Sequence, residues 1–216
     1  MIYDYRTIRI RRGAWREVAE AVDGASSDIA ARGGAVFGLF AGMIGLASDE
    51  GVLISAWHDG EAATAGGDTL VAALPDVIEA TGDRLVPTAR PLDPTPPRES
   101  GVYAHRWFWL QPQDWTEFQR LSEEGVWPYF ESDGCRIVGL WRSMEPGQPA
   151  RALLLTRYPS VAHWERTRLQ SPDPPPGADE RLYRRAQDAG RRRNELTERS
   201  IVRLSRLVPL LSATNS

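Results

Sequence analysis

One histidine stands among aromatic residues at alternate positions of a β-rich run, His105 in Tyr103-Ala104-His105-Arg106-Trp107-Phe108-Trp109-Leu110. Successive strand residues point to opposite faces, so Tyr103, His105, Trp107 and Trp109 share one face, with Phe108 and Leu110 on the other. Histidine titrates near neutral pH and serves as a general acid or base when a substrate proton comes within hydrogen-bond reach. A core histidine with both ring nitrogens satisfied is the plainer role, and a structure decides between them. The run from Tyr3 to Ile10 has the same alternation, with Tyr3, Tyr5, Thr7 and Arg9 on one face and Ile8 and Ile10 on the other. Arg9, or Arg157 on a later strand, is suited to holding a carboxylate or enolate oxygen; a surface ion pair is the simpler use of each. His105 is thus the catalytic candidate, and Tyr3, Tyr5, Arg9, Tyr103, Trp107, Trp109 and Arg157 are the substrate-binding candidates. An aromatic wall with a few polar tips suits a small-molecule pocket. A dry sheet-on-sheet interface would use the same residues.

Other chemistries are poorly supplied. His58 and His163 share no metal-ligand spacing with His105, so no metal site is expected. A haem would need one of the three as axial ligand, His163 being the best placed. All 26 basic residues are arginine. Without lysine there is no Schiff base, no covalent pyridoxal phosphate and no P-loop. The lone Cys135 excludes an intrachain disulfide and reads as a packing thiol at a strand edge. No cofactor is expected.

The elements that must position these residues come in two matching sets. Tyr3, Arg6 and Trp15 recur as Tyr103, Arg106 and Trp115, and Val36 to Phe40 aligns with Ile137 to Trp141. A near-constant offset over several elements marks a duplicated supersecondary unit. Each copy reads as a strand, an amphipathic helix carrying Trp15 or Trp115, two strands, a second helix and a final strand. The second helix is expected over Thr69 to Ala80 and over Ala178 to Leu196, and Asp114 with Glu117 suggests a capping box. The expected fold is α+β, with two tandem ferredoxin-like β-α-β-β-α-β units. Residues 1–92 form the first unit, 93–100 a Pro-rich linker, and 101–216 the second unit with a Pro-rich insertion near 171–177.

The formal charge of −3 and pI near 5.7 give no reason to expect nucleic acid or an anionic membrane as partner. The Arg-rich stretch from Arg181 to Arg193 is interleaved with acidic residues and reads as a solvated helix face. Charges in the first six residues are unlike a signal peptide, and the apolar stretch from Ala35 to Ala47 is too short to span a bilayer, so a cytoplasmic protein is expected. Pairing of two chains into a homodimer has no sequence signature.

Val138-Gly139-Leu140-Trp141, a Pro-Gly turn and Leu154-Leu155-Thr156-Arg157-Tyr158-Pro159-Ser160, with the opening strand Tyr3-Asp4-Tyr5-Arg6-Thr7, resemble the NIPSNAP family of the dimeric α/β-barrel superfamily. The resemblance implies that the two units form an intramolecular dimeric α/β-barrel, their sheets closing face to face around a shared cavity. Related families include cofactor-free oxygenases, polyketide cyclases, lyases and haem-handling enzymes. Two functions follow as expectations. One is a small-molecule protein, enzyme or carrier, with an aromatic or polyketide-like ligand in the barrel; the other is a non-catalytic interaction protein whose barrel is filled.

Overall fold

The structure is a computed structural model describing residues 1–169 and 171–210; residues 211–216 of the expected second unit and Gln170 lie outside the described residues. The first half runs β1 (Ile2–Ile10), α1 (Trp15–Ala31), β2 (Gly34–Ile44), β3 (Glu50–Trp57), α2 (Gly60–Ala73) and β4 (Val77–Pro87). The second runs β5 (Val102–Leu110), α3 (Trp115–Arg120), a π-helical turn (Leu121–Val126), α4 (Trp127–Ser132), β6 (Arg136–Ser143), β7 (Ala150–Tyr158), α5 (Val161–Arg166), α6 (Glu180–Glu195) and β8 (Thr197–Leu207). Both halves follow the ferredoxin-like order.

The eight strands close into one antiparallel barrel in the order β1-β3-β2-β8-β5-β7-β6-β4. Each half's last strand crosses to the other half. β8 pairs with β5 and with β2, where Phe40 opposes Leu207, and β4 pairs with β1 and with β6, where Leu85 opposes Ser143. Closure leaves no free sheet edge. β1 and β5 take equivalent registers, Arg6 facing Leu53 and Arg106 facing Leu154 on the neighbouring strand.

Alternation divides the core as the sequence requires. Inward residues, including Tyr3, Tyr5, Phe37, Phe40, Tyr103, Trp107 and Trp141, form one cluster inside the barrel. Outward strand residues pack against the helices, Ile8 and Ile10 clustering with Val18 and Val22 of α1 in the first half, and Phe108 and Leu110 with Phe118 of α3 and Trp127 of α4 in the second.

Three expectations need correction. α2 starts nine residues earlier than expected, because Asp59 caps it by accepting from the Ala62 N–H at 2.8 Å, and it ends at Ala73, with Leu74 as the extended residue before Pro75. The proposed Asp114 cap is absent, since Pro112 opens a 3₁₀ turn that leaves Asp114 already helical. Glu117 instead receives Arg192, at 2.8 and 3.1 Å. The Arg-rich helix is solvated along most of its length, but Arg193 is buried.

Glycines in α2 give a sharp local test. A Cβ on Gly66 would enter the van der Waals envelope of the Trp57 indole, itself buried and held by Ser55 at 2.8 Å. Gly24 in α1 has open space around it. Ala has the better helix propensity by about 1 kcal/mol, but overpacking costs about 1–3 kcal/mol. Gly24→Ala should therefore raise the midpoint of urea unfolding and Gly66→Ala lower it; a Gly66→Ala variant as stable as the parent would contradict the packing assigned to Trp57.

Candidate functional site

The inward face brings the expected residues together and closes around them. Tyr5 meets Trp107 edge to face at 5.4 Å between ring centroids, and Phe40 meets Tyr103 at 5.2 Å and His105 at 5.1 Å. Tyr3 packs on Phe37 and Trp141 at 5.2 and 5.4 Å. Two phenols are anchored on the segment between β4 and β5, Tyr3 donating to the Asp93 carbonyl at 3.2 Å and Tyr103 to the Glu99 carbonyl at 2.6 Å. Burial raises the pKa of both, that of Tyr103 to about 12.

His105 is fully buried, with Nε2 2.8 Å from Ser205 Oγ and Nδ1 3.3 Å from the Tyr5 hydroxyl. Desolvation, reinforced by the charge of Arg203, pushes its pKa down to about 3. Both nitrogens have partners and His105 lines none of the three cavities described below, which favours a core histidine over the expected catalytic role. Arg9 and Arg157 also fall away from the interior. Arg9 is exposed and pairs with Glu79 at 3.3 Å, while Arg157 donates to the Ser100 carbonyl at 2.7 Å. Both lie near strand ends, where the inward register opens at the barrel rim. Trp109 is only partly buried, with the Arg199 guanidinium 4.8 Å from its ring centroid.

A different space is open. Between the outward face of the second half's sheet and its helices lies a cavity of about 450 Å³, within the range of small-molecule sites. Its floor is Arg106 and Phe108 on β5, Ile137 on β6, and Leu154, Thr156 and Tyr158 on β7. Trp127 and Phe130 on α4, Trp164 on α5, and Gln187, Gly190 and Arg193 on α6 form the walls. The π-helical turn shapes one side. Pro128 has no N–H for a regular helical bond, and Gly125 lets α6 approach so closely that a Cβ would collide with Ala189. The Pro-rich loop is drawn against α6, where Tyr183 and Gln187 donate to the Ser171 carbonyl at 2.7 and 2.6 Å. Two shallower hollows lie over α3 and α6 and beside α2 and β4.

The electrostatics of this cavity are one-sided, since its lining includes arginines but no aspartate or glutamate. Arg193 is 7% exposed, and its guanidinium lies over Phe108 and Phe118, 5.0 and 4.7 Å from the ring centroids. Burial, then the neighbouring Arg106, pushes its pKa down to about 9, and burial likewise lowers that of Arg106. Burial raises the pKa of the Tyr158 phenol, keeping it protonated.

Sequence reasoning missed Arg106 and Arg193, although both left a signal. Arg106 is the one charge in the outward register of β5, between Ala104 and Phe108. Arg193 continues the buried face of α6 set by Tyr183, Ala186 and Ala189.

Axial ligation of a haem does not fit this cavity. His163 is not in its lining and stands 3.0 Å from Asp133, with Arg166 3.1 Å from its other nitrogen. Cys135 is not in the lining either, and the Tyr158 phenol is held neutral. Among the described residues no group of three His, Cys, Asp or Glu side chains could hold a metal ion, and no helix is long and apolar enough to cross a membrane.

The architecture is that of the dimeric α/β-barrel proteins, with both ferredoxin-like units in one chain. Solved structures agree over nearly the whole length. A candidate monooxygenase from Lactobacillus acidophilus is similar with a TM-score of 0.61 and 10% identity, covering 96% of this chain and 92% of its own. An anthrone oxidase-like protein gives 0.63 and 12%, covering 96% and 91%. A mutant chlorite dismutase from Candidatus Nitrospira defluvii gives 0.56 and 10%, covering 97% and 92%. No family model matches the sequence, and neither does any curated protein.

Proposed function

We propose that the chain binds a small organic molecule, and that the ligand occupies the cavity between sheet and helices of the second half instead of the barrel interior. The observation that carries this is the contrast between the two spaces. The barrel is packed with edge-to-face aromatics, whereas about 450 Å³ stays open beneath α4, α5 and α6 with aromatic walls and a few polar groups. The similarity to a candidate monooxygenase and an anthrone oxidase-like protein supports small-molecule chemistry as the setting, and the sequence motifs support a NIPSNAP-like lineage. Whether bound ligand is transformed or only carried, its position would be set by the cavity walls.

Gly190 supplies the test. A Cβ there meets only the tip of Leu169, at 3.5 Å, so Gly190→Phe can place a ring in the cavity without disturbing the helix. A neutral aromatic probe, 2-naphthalenemethanol, should bind the parent at one saturable site followed by tryptophan fluorescence. Gly190→Phe should weaken it at least about ten-fold, the scale of losing burial of several methylene-sized groups, with the unfolding midpoint unchanged. Equal binding by both proteins would place the ligand elsewhere.

A further inference from the structure

Resting on that reading of the cavity, we propose that its ligand is an organic anion, an aromatic or alicyclic carboxylate whose charged end is held by Arg106 and Arg193.

The chain contains its own control. On β1, Arg6 occupies the register position that Arg106 occupies on β5, and two carboxylates neutralise it, Asp4 at 2.7 Å and Asp68 at 2.8 Å. In the second half Ala104 stands where Asp4 stands in the first. Neither Arg106 nor Arg193 makes an ion pair or hydrogen bond with any described side chain, and Arg193 Nε is buried with no partner. A guanidinium taken from water without a counter-charge is costly, and the ring faces of Phe108 and Phe118 offset only part of that cost. Burial lowers the proton affinity of both groups, and neighbouring positive charge adds to it, Arg106 acting on Arg193 and Arg168 on Arg106. An anion relieves both penalties at once. A carboxylate accepts paired N–H donors in the planar geometry that guanidinium offers. The rest of the lining, from Trp127 and Phe130 to Leu154 and Trp164, calls for an apolar body behind that charged end.

The test uses two probes of nearly the same shape, 2-naphthoate and 2-naphthalenemethanol, with the full chain and its Arg106→Met and Arg193→Met variants. Methionine keeps the apolar stem and removes the charge. The parent should bind 2-naphthoate at least about 30-fold more tightly than the alcohol, and each variant should lose about ten-fold or more for the carboxylate while changing less than about three-fold for the alcohol. An independent readout needs no ligand: without an uncompensated charge to bury, unliganded Arg193→Met should melt at or above the parent's temperature, and saturating 2-naphthoate should restore the parent's advantage. Equal affinity of the parent for both probes would overturn the proposal, as would variants that weaken both equally. If the parent binds neither probe, the cavity reading itself fails and takes this proposal with it. Binding of the alcohol alone would leave that reading intact and refute the anion.

Discussion

Expressed without the first hundred residues, the chain from Gly101 onward should fail to form a stable monomer. Tyr103, Trp107 and Trp141 are buried in the barrel against Tyr3, Tyr5, Phe37 and Phe40 of the other half. Removing those partners exposes several large aromatic faces, each worth about 1.5–3 kcal/mol when buried. Set against a typical domain stability of about 5–15 kcal/mol, that loss is decisive. The backbone loses as well, because β8 gives up its ladder to β2 and β6 its ladder to β4, leaving two open edges. Sedimentation and denaturant melts of the fragment check the point. A monomer that unfolds cooperatively would contradict the shared interface, whereas a fragment that folds only as a dimer would restore the same burial with a second copy. The joint at residues 93–100 is our proposal for where the units divide, and the phenols of Tyr3 and Tyr103 hold its two ends.

Architecture was legible in the sequence where burial follows a short period. In β1 and β5 the alternation alone separated Tyr5 and His105 from Ile8 and Phe108, and the structure keeps them on opposite faces. α2 was harder to place. Its start is rich in alanine and glycine, and Gly66 and Gly67 are small because Trp57 and Asp4 press against them, so the helix shows little apolar periodicity where it packs most closely. The site was harder still. Alternation assigns a side chain to the inside, but whether the inside is open depends on how residues far apart in sequence, such as Phe40 and His105, interlock across the barrel. The rim positions of Arg9 and Arg157 depend on strand length and stagger, which a local pattern does not carry. Arg106 was visible in principle, as a charge in an apolar register whose counterpart Arg6 has an adjacent aspartate that Arg106 lacks.

His105 should make the protein measurably sensitive to acid. Ser205 Oγ lies 3.4 Å from the Tyr103 carbonyl, to which it can donate, leaving it to accept from Nε2–H, while Nδ1 accepts from the Tyr5 hydroxyl. That network suits the neutral ring. A second ring proton would have to point at a phenol that is itself the donor, and Arg203, across the ladder from His105, opposes the added charge. The folded-state pKa of about 3 lies below the ordinary value of 6.5, so the histidine's contribution is full above about pH 6.5 and is lost as pH falls from there toward about 3. The slope from this one residue approaches about 1.4 kcal/mol per pH unit. Replacing it with phenylalanine should cost roughly 2–5 kcal/mol at pH 7, because Ser205 and Tyr5 lose a buried partner. The variant then has no imidazole to protonate, so the stability difference between parent and variant should shrink steadily between pH 6.5 and pH 4. Urea unfolding across that range measures it, and because both proteins share the same carboxylates, the difference isolates the histidine. A gap that stays constant with pH would mean that the imidazole reaches solvent, which would reopen the barrel interior as a site.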